Sequence, residues 1–208
     1  MELLVLIHGF CRTRADMADL EQYLQAPGRT IFRPNLPTRT GSLAQCVTTL
    51  HTMIHPLLEE NTSMVLIGHS MGGCIARQYL HTYGACSLSS CICIATPHRG
   101  SPMADFFLKI PGVALLRPTL MELRTTTKQP VDFSEEVPIG CIIGTKPTPS
   151  PLAKLLLCSP HDGRVEEKSA NSPYAQSSIH LPYTHFEIHH REETAHHIRK
   201  FLQSDSFV

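Results

Sequence analysis

The sequence lacks an excess of charge of either sign. Its 208 residues include 18 Lys and Arg against 18 Asp and Glu, so the formal net charge is zero when His is neutral. Nucleic-acid-binding proteins usually carry an excess of positive charge, which this chain lacks, and the chain also has no acidic tail. We therefore expect no nucleic-acid partner.

The sequence also lacks an apolar run long enough to cross a membrane. The first apolar stretch, residues 3–7, is far shorter than the roughly 20 residues that a membrane-spanning helix needs. It has neither the basic leader nor the small-residue cleavage site of a signal peptide. We therefore expect no transmembrane segment and a cytoplasmic location.

Two common signatures of a zinc site are missing. The chain has 8 Cys and 13 His, but it contains neither a Cys-x-x-Cys pair nor a His-Glu-x-x-His segment. We therefore expect no metal ion and no cofactor. Without an export signal the cysteines are expected to be reduced, and several of them lie in apolar patterns where a thiol acts as a small core side chain.

Strand and helix patterns alternate along most of the chain. Largely apolar runs of strand length cover residues 3–7, 64–67, 90–95 and 137–144, and residues 30–34 and 178–181 are interpreted as two further short strands. Helical periodicity covers residues 14–25, 42–59, 71–83, 152–157 and 192–202. Such alternation requires parallel strands joined by right-handed crossovers. We predict an α/β fold, with a doubly wound sheet of about six parallel strands flanked by helices. Residues 1–208 then form one domain, in which the proline-broken residues 102–130 are a short helical cap insertion.

One stretch carries a recognisable chemical motif, Gly68-His69-Ser70-Met71-Gly72. It follows an apolar strand and passes directly into a helical pattern, which is the setting of a Gly-x-Ser-x-Gly nucleophile elbow. The serine of such an elbow lies on a strained turn that projects its hydroxyl, and the two glycines remove side chains that would collide across the turn. The motif predicts Ser70 as a nucleophile. The alternative is an ordinary strand-to-helix turn with a capping serine.

A catalytic serine needs an acid, which in this chain order follows the serine, after a later strand. After residue 144 the acidic choices are Asp162, Glu166 and Glu167. Asp162 lies in a tight loop with a glycine beside it, whereas the two glutamates resemble a solvated start of the next segment. We favour Asp162, with Asp132, which precedes the strand, in reserve.

The base must be a histidine in the loop between the last strand and the last helix. His185 is the only histidine directly in that loop, and His189 is the next candidate. The group of His189, His190, His196 and His197 is interpreted as a polar helix surface.

Stabilising an oxyanion requires two backbone donors. The amide of Met71, directly after the nucleophile, is the first candidate. His8-Gly9-Phe10 follows the first strand, and the Phe10 amide is the second candidate because Gly9 allows close approach. We expect His8 to brace this loop by hydrogen bonding and His69 to pack under the elbow.

Taken together, these motifs resemble those of a small serine hydrolase of the α/β-hydrolase superfamily, close to bacterial lipases and esterases. The matching segments are residues 8–10, 68–73, 96–101, 162–165 and 184–186. The resemblance implies a triad of Ser70, Asp162 and His185, with Phe10 and Met71 as oxyanion donors. The sequence departs from the full fold because no antiparallel hairpin precedes the first strand.

The resemblance also bears on the substrate. Residues 96–101 are similar to a pocket-lining element of lipase-like members, and residues 102–130 are apolar, so His98, Phe106 and Phe107 are pocket candidates. The expected reaction is hydrolysis of a small-molecule carboxylic ester with an acyl or other hydrophobic group. A thioesterase or acyltransferase would use the same triad. A non-catalytic binding protein on this scaffold, and an insertion that serves packing alone, are further alternatives.

Overall fold

One parallel sheet organises the fold. A computed structural model of the chain describes residues 1–60, 62–85, 87–126, 137–158 and 160–208. Its strands are β1 (Glu2–Ile7), β2 (Arg29–Phe32), β3 (Ser63–His69), β4 (Leu88–Ile94), β5 (Ile139–Gly144) and β6 (Ser177–Leu181). They form a six-stranded sheet in the order β2-β1-β3-β4-β5-β6, and every neighbouring pair is parallel. The predicted sheet is confirmed.

Helices connect these strands. In the described ranges they are α1 (Ala18–Leu24), α2 (Leu43–Ile54), α3 (Met71–Tyr83), α4 (Pro102–Leu108), α5 (Val113–Leu116), α6 (Thr119–Glu122), α7 (Pro151–Leu156), α8 (Glu167–Ala170) and α9 (Glu192–Ser204). A 3-10 turn precedes α1, another follows α2, and a third precedes α9.

The second helix is shorter than its apolar periodicity predicts. A capping box between Ser42 and Gln45 begins α2, so its first free amides are satisfied. The helix ends at Ile54 and passes into the 3-10 turn His55–Leu57. Pro56 lies in that turn, where it has no amide to continue the helical ladder.

Both faces of the sheet are covered. The alternation of β1 shows this, because Leu3, Val5 and Ile7 belong to one buried cluster and Leu4 and Leu6 to another. Helices α2 and α3 complete the first cluster, and α1 and α9 complete the second. The sheet is therefore doubly wound. Its four inner strands are almost entirely buried, whereas the edge strands β2 and β6 are only partly buried.

The topology gathers the candidate residues at one edge. Strand β3 lies between β1 and β4 at the centre of the sheet, and α3 begins directly after its elbow. Because all six strands are parallel, the loops that follow them emerge at the same edge. Ligands of open α/β sheets bind in the crevice outside these carboxyl ends.

Residues 102–126 form short helices, as their prolines predicted. Pro102 and Pro118 lie at or beside helix starts, where a missing amide is tolerated. Residues 127–130 of the predicted insertion, together with Asp132, lie outside the described residues.

The described cysteines are free thiols, and Cys86 lies outside the described residues. Burial raises the pKa of Cys46 to about 11 and that of Cys74 to about 12. Among the described residues no helix combines the length and the apolar character needed to cross a bilayer.

Candidate active site

Ser70 lies on a strained turn between β3 and α3. Its φ is +55° and its ψ is −121°, which few residues with a side chain adopt. A Cβ on Gly68 would overlap the backbone of Gly72, and a Cβ on Gly72 would overlap the carbonyl of Ile7. Both glycines are therefore required sterically, as the motif predicted.

The structure brings Ser70, His185 and Asp162 together in one hydrogen-bonded line. Ser70 Oγ lies 3.0 Å from His185 Nε2, and His185 Nδ1 lies 2.7 Å from Asp162 Oδ2. Asp162 is 1% exposed and His185 5%, whereas Ser70 is partly open to solvent. The nucleophile candidate is thus accessible, while the pair behind it is shielded from water.

The Asp162 carboxylate is held by its own loop. Oδ1 accepts the amides of Arg164 and Val165 at 2.9 and 2.8 Å, which leaves Oδ2 to face His185. The His185 amide in turn donates to the Asp162 carbonyl at 2.9 Å. Because the two loops fasten each other, both side chains are oriented before any ligand binds.

The other acid candidates face elsewhere. Glu166 is only 4% exposed, so the expectation of a solvated glutamate was wrong at this position. Its Oε1 accepts the Cys158 amide at 2.9 Å, and its Oε2 lies 3.1 Å from Lys168 Nζ. Glu167 pairs with His180 Nε2 at 3.0 Å.

The two oxyanion candidates are backbone amides in the segments that follow β1 and β3. In the described part of the chain, neither the Phe10 nor the Met71 amide donates to another residue. His8 braces the Phe10 loop, since its Nε2 accepts the Leu36 amide at 3.0 Å and its Nδ1 therefore donates to the Gly9 carbonyl at 3.0 Å. Burial, the largest influence, lowers the pKa of His8 and keeps this ring neutral.

A second buried imidazole supports His185. His69 Nε2 donates to the His185 carbonyl at 3.0 Å, and the His69 ring stacks on His189 with centroids 3.7 Å apart. Burial lowers the pKa of His69 well below its usual value, and the neighbouring His189 adds to this. His189 is only 1% exposed, so its assignment to a polar surface was wrong. Its Nε2 lies 3.2 Å from Asp16.

One cluster has the spacing of a possible metal site. It consists of Asp16, His69 and His189, and one donor atom of each lies within 4.8 Å of the others. However, the rings of His69 and His189 are only 20° from parallel. Their lone pairs therefore lie in two nearly parallel planes that are stacked on each other, whereas the ligands of one ion must point toward a common centre. The two rings are better described as a stacked pair that supports the His185 loop through the hydrogen bond from His69 Nε2 to the His185 carbonyl.

Beside Ser70 lies a cavity of about 600 Å³. Its wall is largely apolar and includes Phe107, Leu120, Leu123 and Val165. The predicted insertion therefore supplies part of this wall.

The three predicted pocket residues occupy different places. Phe107 lines the cavity, while Phe106 packs edge-on against Phe107 with centroids 5.7 Å apart and is not part of the described lining. His98 is buried away from the cavity, where its Nδ1 accepts from Arg77 at 2.5 Å and its Nε2 lies 3.5 Å from Cys141. Burial, followed by the Arg77 charge, lowers the pKa of His98 well below its usual value.

The prediction of His98 as a lining residue fails because the segment turns that side chain inward. Pro97 and Ser101 of the same segment line the cavity instead. The hydroxyl of Ser101 donates to the Arg164 carbonyl at 3.2 Å, which joins this segment to the loop of Asp162.

Sequence reasoning missed the polar part of the cavity lining. Arg12, Arg117 and Arg164 line it, together with the exposed ring of Phe186. No motif identifies them as a group, because they come from three separate loops whose convergence depends on the tertiary fold.

Comparison with known proteins supports the fold. Residues 33–110, which include the elbow, match the family described as PGAP1-like alpha/beta domain. No curated protein sequence matches the chain significantly.

Several solved structures are similar. The mature lipase BlEst2 from Bacillus licheniformis has a TM-score of 0.77 at 19% identity, and the likeness covers 97% of this chain and 91% of that one. The metagenomic carboxyl esterase MGS0156 has a TM-score of 0.77 at 15% identity, with 98% and 76% covered. Phospholipase PlaB from Legionella pneumophila has a TM-score of 0.69 at 17% identity, with 82% and 44% covered. The chain has the α/β-hydrolase fold of these lipases and esterases, as the motifs predicted.

Proposed function

We propose that the protein hydrolyses carboxylic esters through an acyl-enzyme on Ser70. The observation that carries this proposal is the continuous line from Ser70 Oγ through His185 to Asp162, with distances of 3.0 and 2.7 Å. A serine hydroxyl becomes a competent nucleophile when a base accepts its proton and a third group orients that base. The fold alone would not support this proposal, because one fold hosts many activities.

The first half-reaction acylates the serine. Ser70 Oγ attacks the ester carbon as its proton passes to His185 Nε2, and the imidazolium formed is stabilised by the Asp162 carboxylate. The carbonyl oxygen becomes an oxyanion that accepts hydrogen bonds from the Phe10 and Met71 amides. When this intermediate collapses, the bond to the alcohol breaks and His185 returns the proton to the departing alkoxide.

The second half-reaction releases the acid. Water attacks the acyl-enzyme carbon and gives its proton to His185, and the second oxyanion uses the same two amides. The Ser70–acyl bond then breaks and Oγ recovers its proton. The apolar cavity beside Ser70 supports a substrate with a hydrophobic acyl group, since burial of each methylene contributes about 0.8 kcal/mol.

A fluorophosphonate probe tests the proposal directly, because it reacts covalently only with an activated serine. We expect the wild type to be labelled and to release p-nitrophenol from p-nitrophenyl butyrate, and Ser70→Ala to do neither. The matched control is Ser63→Ala, which removes an exposed serine from the start of β3. A folded wild type that resists both reagents would overturn the proposal.

A chain-length series tests the acyl pocket. Specificity for p-nitrophenyl esters is expected to rise from acetate to longer acyl chains, since the cavity wall is largely apolar. Preference for acetate would contradict a hydrophobic acyl substrate while leaving ester hydrolysis intact.

A further inference from the structure

The cavity beside Ser70 carries a local surplus of positive charge. Its described lining contains Arg12, Arg117 and Arg164 and no aspartate or glutamate. The whole chain, by contrast, has equal numbers of acidic and basic residues, 18 of each. Arg12 follows β1, Arg117 follows α5, and Arg164 lies in the loop of Asp162, so three separate loops each contribute one guanidinium group.

Two of these groups are positioned by one aromatic ring. The guanidinium carbons of Arg12 and Arg164 lie 5.0 and 5.2 Å from the centre of the Phe186 ring. Phe186 is itself edge-on to His185, with centroids 5.5 Å apart. A guanidinium group that lies over an aromatic ring interacts with the face of that ring, so the N–H groups at the edge of the guanidinium remain available to a hydrogen-bond acceptor. The charges are therefore held at the solvent-open side of the catalytic candidates.

Within the described residues, the charge of these guanidinium groups is only partly balanced. Arg12 Nε lies 3.8 Å from Asp16, near the limit of an ion pair, and Arg117 donates to the Leu116 carbonyl at 2.8 Å. Among the described residues, neither Arg117 nor Arg164 takes part in an ion pair. Three partly exposed cations that converge on one cavity indicate a site for an anion.

We propose that the substrate is an ester with an apolar acyl chain and a phosphate on its alcohol portion. This inference rests on the proposed ester hydrolysis and specifies its substrate class. The acyl chain lies against Phe107, Leu120 and Leu123 inside the cavity. The phosphate lies at the rim, where guanidinium groups bind its oxygens through paired N–H donors, a geometry better matched to phosphate than an ammonium is.

A matched pair of substrates tests the inference, 1-octanoylglycerol 3-phosphate and 1-octanoylglycerol, each dissolved below its micelle-forming concentration. They present the same scissile bond and acyl chain and differ only in the phosphate. We expect kcat/KM for the phosphate ester to exceed that for the neutral ester by about tenfold or more. Added salt should reduce this ratio, because partly exposed charges are screened.

Single variants then assign the preference to the arginines. Arg164→Gln and Arg117→Gln are each expected to lower the ratio of the two kcat/KM values by about fivefold. Arg14→Gln, which removes an exposed arginine outside the cavity lining, should leave the ratio unchanged. Thermal unfolding and fluorophosphonate labelling verify that each variant is folded and retains its activated serine.

The source of the phosphate ester is distinguished by a second arm with phosphatidylglycerol vesicles. The inference is supported if the enzyme hydrolyses the dissolved phosphate ester, the vesicle lipid or both in a phosphate-dependent way. Hydrolysis of the dissolved ester alone indicates a soluble substrate, and hydrolysis of the vesicle lipid indicates a membrane lipid. Equal turnover of an octanoyl ester bearing a carboxylate overturns the assignment to phosphate.

Two results would overturn the inference altogether. One is an equal or greater kcat/KM for the neutral ester, and the other is a ratio that the arginine variants leave unaltered. In both cases ester hydrolysis itself still stands. If neither ester reacts, the inference also fails, and the fluorophosphonate probe then decides separately whether the proposed function fails with it.

Discussion

Replacing Asp162 by Asn tests the catalytic proposal most sharply, because the surrounding hydrogen bonds dictate how the new amide must lie. The amides of Arg164 and Val165 donate to Oδ1 at 2.9 and 2.8 Å, so the oxygen of the Asn side chain must occupy that position. Its NH₂ group then faces His185 Nδ1, where the carboxylate oxygen now lies at 2.7 Å. The imidazole is forced to accept at Nδ1 and to carry its proton on Nε2.

This tautomer cannot serve as the base. Nε2, which lies 3.0 Å from Ser70 Oγ, would already be protonated and could not accept the serine proton. The equivalent change in a serine protease lowers kcat by about 10⁴-fold with the geometry intact, and we expect Asp162→Asn to lower kcat by about 10³- to 10⁴-fold. Hydrolysis of p-nitrophenyl butyrate measures the loss, and ¹⁵N NMR of labelled histidine reports the tautomer.

The control is Glu166→Gln on the same loop. Glu166 is buried like Asp162, but its Oε1 accepts the Cys158 amide, which a glutamine oxygen can also accept. The change removes the same charge and is expected to lower kcat by less than about threefold, because the residue does not contact His185. An Asp162→Asn protein that keeps more than about a tenth of the wild-type kcat would refute the reasoning. Asp132→Asn then becomes the variant to measure.

Three further predictions concern stability and specificity. The free energy of unfolding, measured in urea, should be about 1 kcal/mol higher for Ser70→Gly than for Ser70→Ala, because glycine adopts the positive φ of this residue without strain. Equal stability of the two variants would contradict a strained backbone at Ser70. Leu123→Trp should fill the cavity and shift specificity toward shorter p-nitrophenyl esters, whereas the control Leu155→Trp, at a site 75% exposed, should leave the chain-length profile unchanged. If Leu123→Trp also leaves the profile unchanged, the acyl chain does not bind beside Leu123. Burial lowers the pKa of His69 and His98 well below the usual 6.5, so below pH 6.5 these two rings bind protons in the unfolded chain but not in the folded protein. The free energy of unfolding should therefore fall with decreasing pH by up to about 1.4 kcal/mol per pH unit for each ring, and a urea midpoint that stays constant from about pH 7.5 to 5.5 would contradict this.

Much of the architecture could be predicted because it depends on local patterns. Strands buried on both faces produce continuous apolar runs, which made the four inner strands recognisable. The edge strands β2 and β6 are only partly buried, and the sequence marks them more weakly. The loops that follow parallel strands must meet at one edge, so chain order alone was enough to suggest that Ser70, Asp162 and His185 approach one another. Their spacing in the structure agrees with that expectation.

What the sequence could not provide are the directions of side chains in irregular segments. His98 follows the strand whose loop lines the cavity, yet its ring turns inward to Arg77. His189 sits in a histidine-rich, polar segment, yet it is buried because the 3-10 turn Ile188–His190 directs it toward His69. Neither direction follows from a periodicity of 2.0 or 3.6 residues, since both residues lie in segments without a long regular repeat.

The reactivity of the buried thiols in the sheet reports whether the sheet is folded. Cys91, Cys93 and Cys141 are fully buried on β4 and β5, whereas Cys11 and Cys158 are exposed. A thiol reagent will therefore react promptly at the exposed pair and reach the buried three only when the sheet opens. Under oxidising conditions each opening also risks a sulfenic acid or a mismatched disulfide that no longer fits between the packed layers. Oxidation of these three thiols in air should then proceed at a rate limited by opening of the sheet, and a reductant should slow the resulting loss of folded protein.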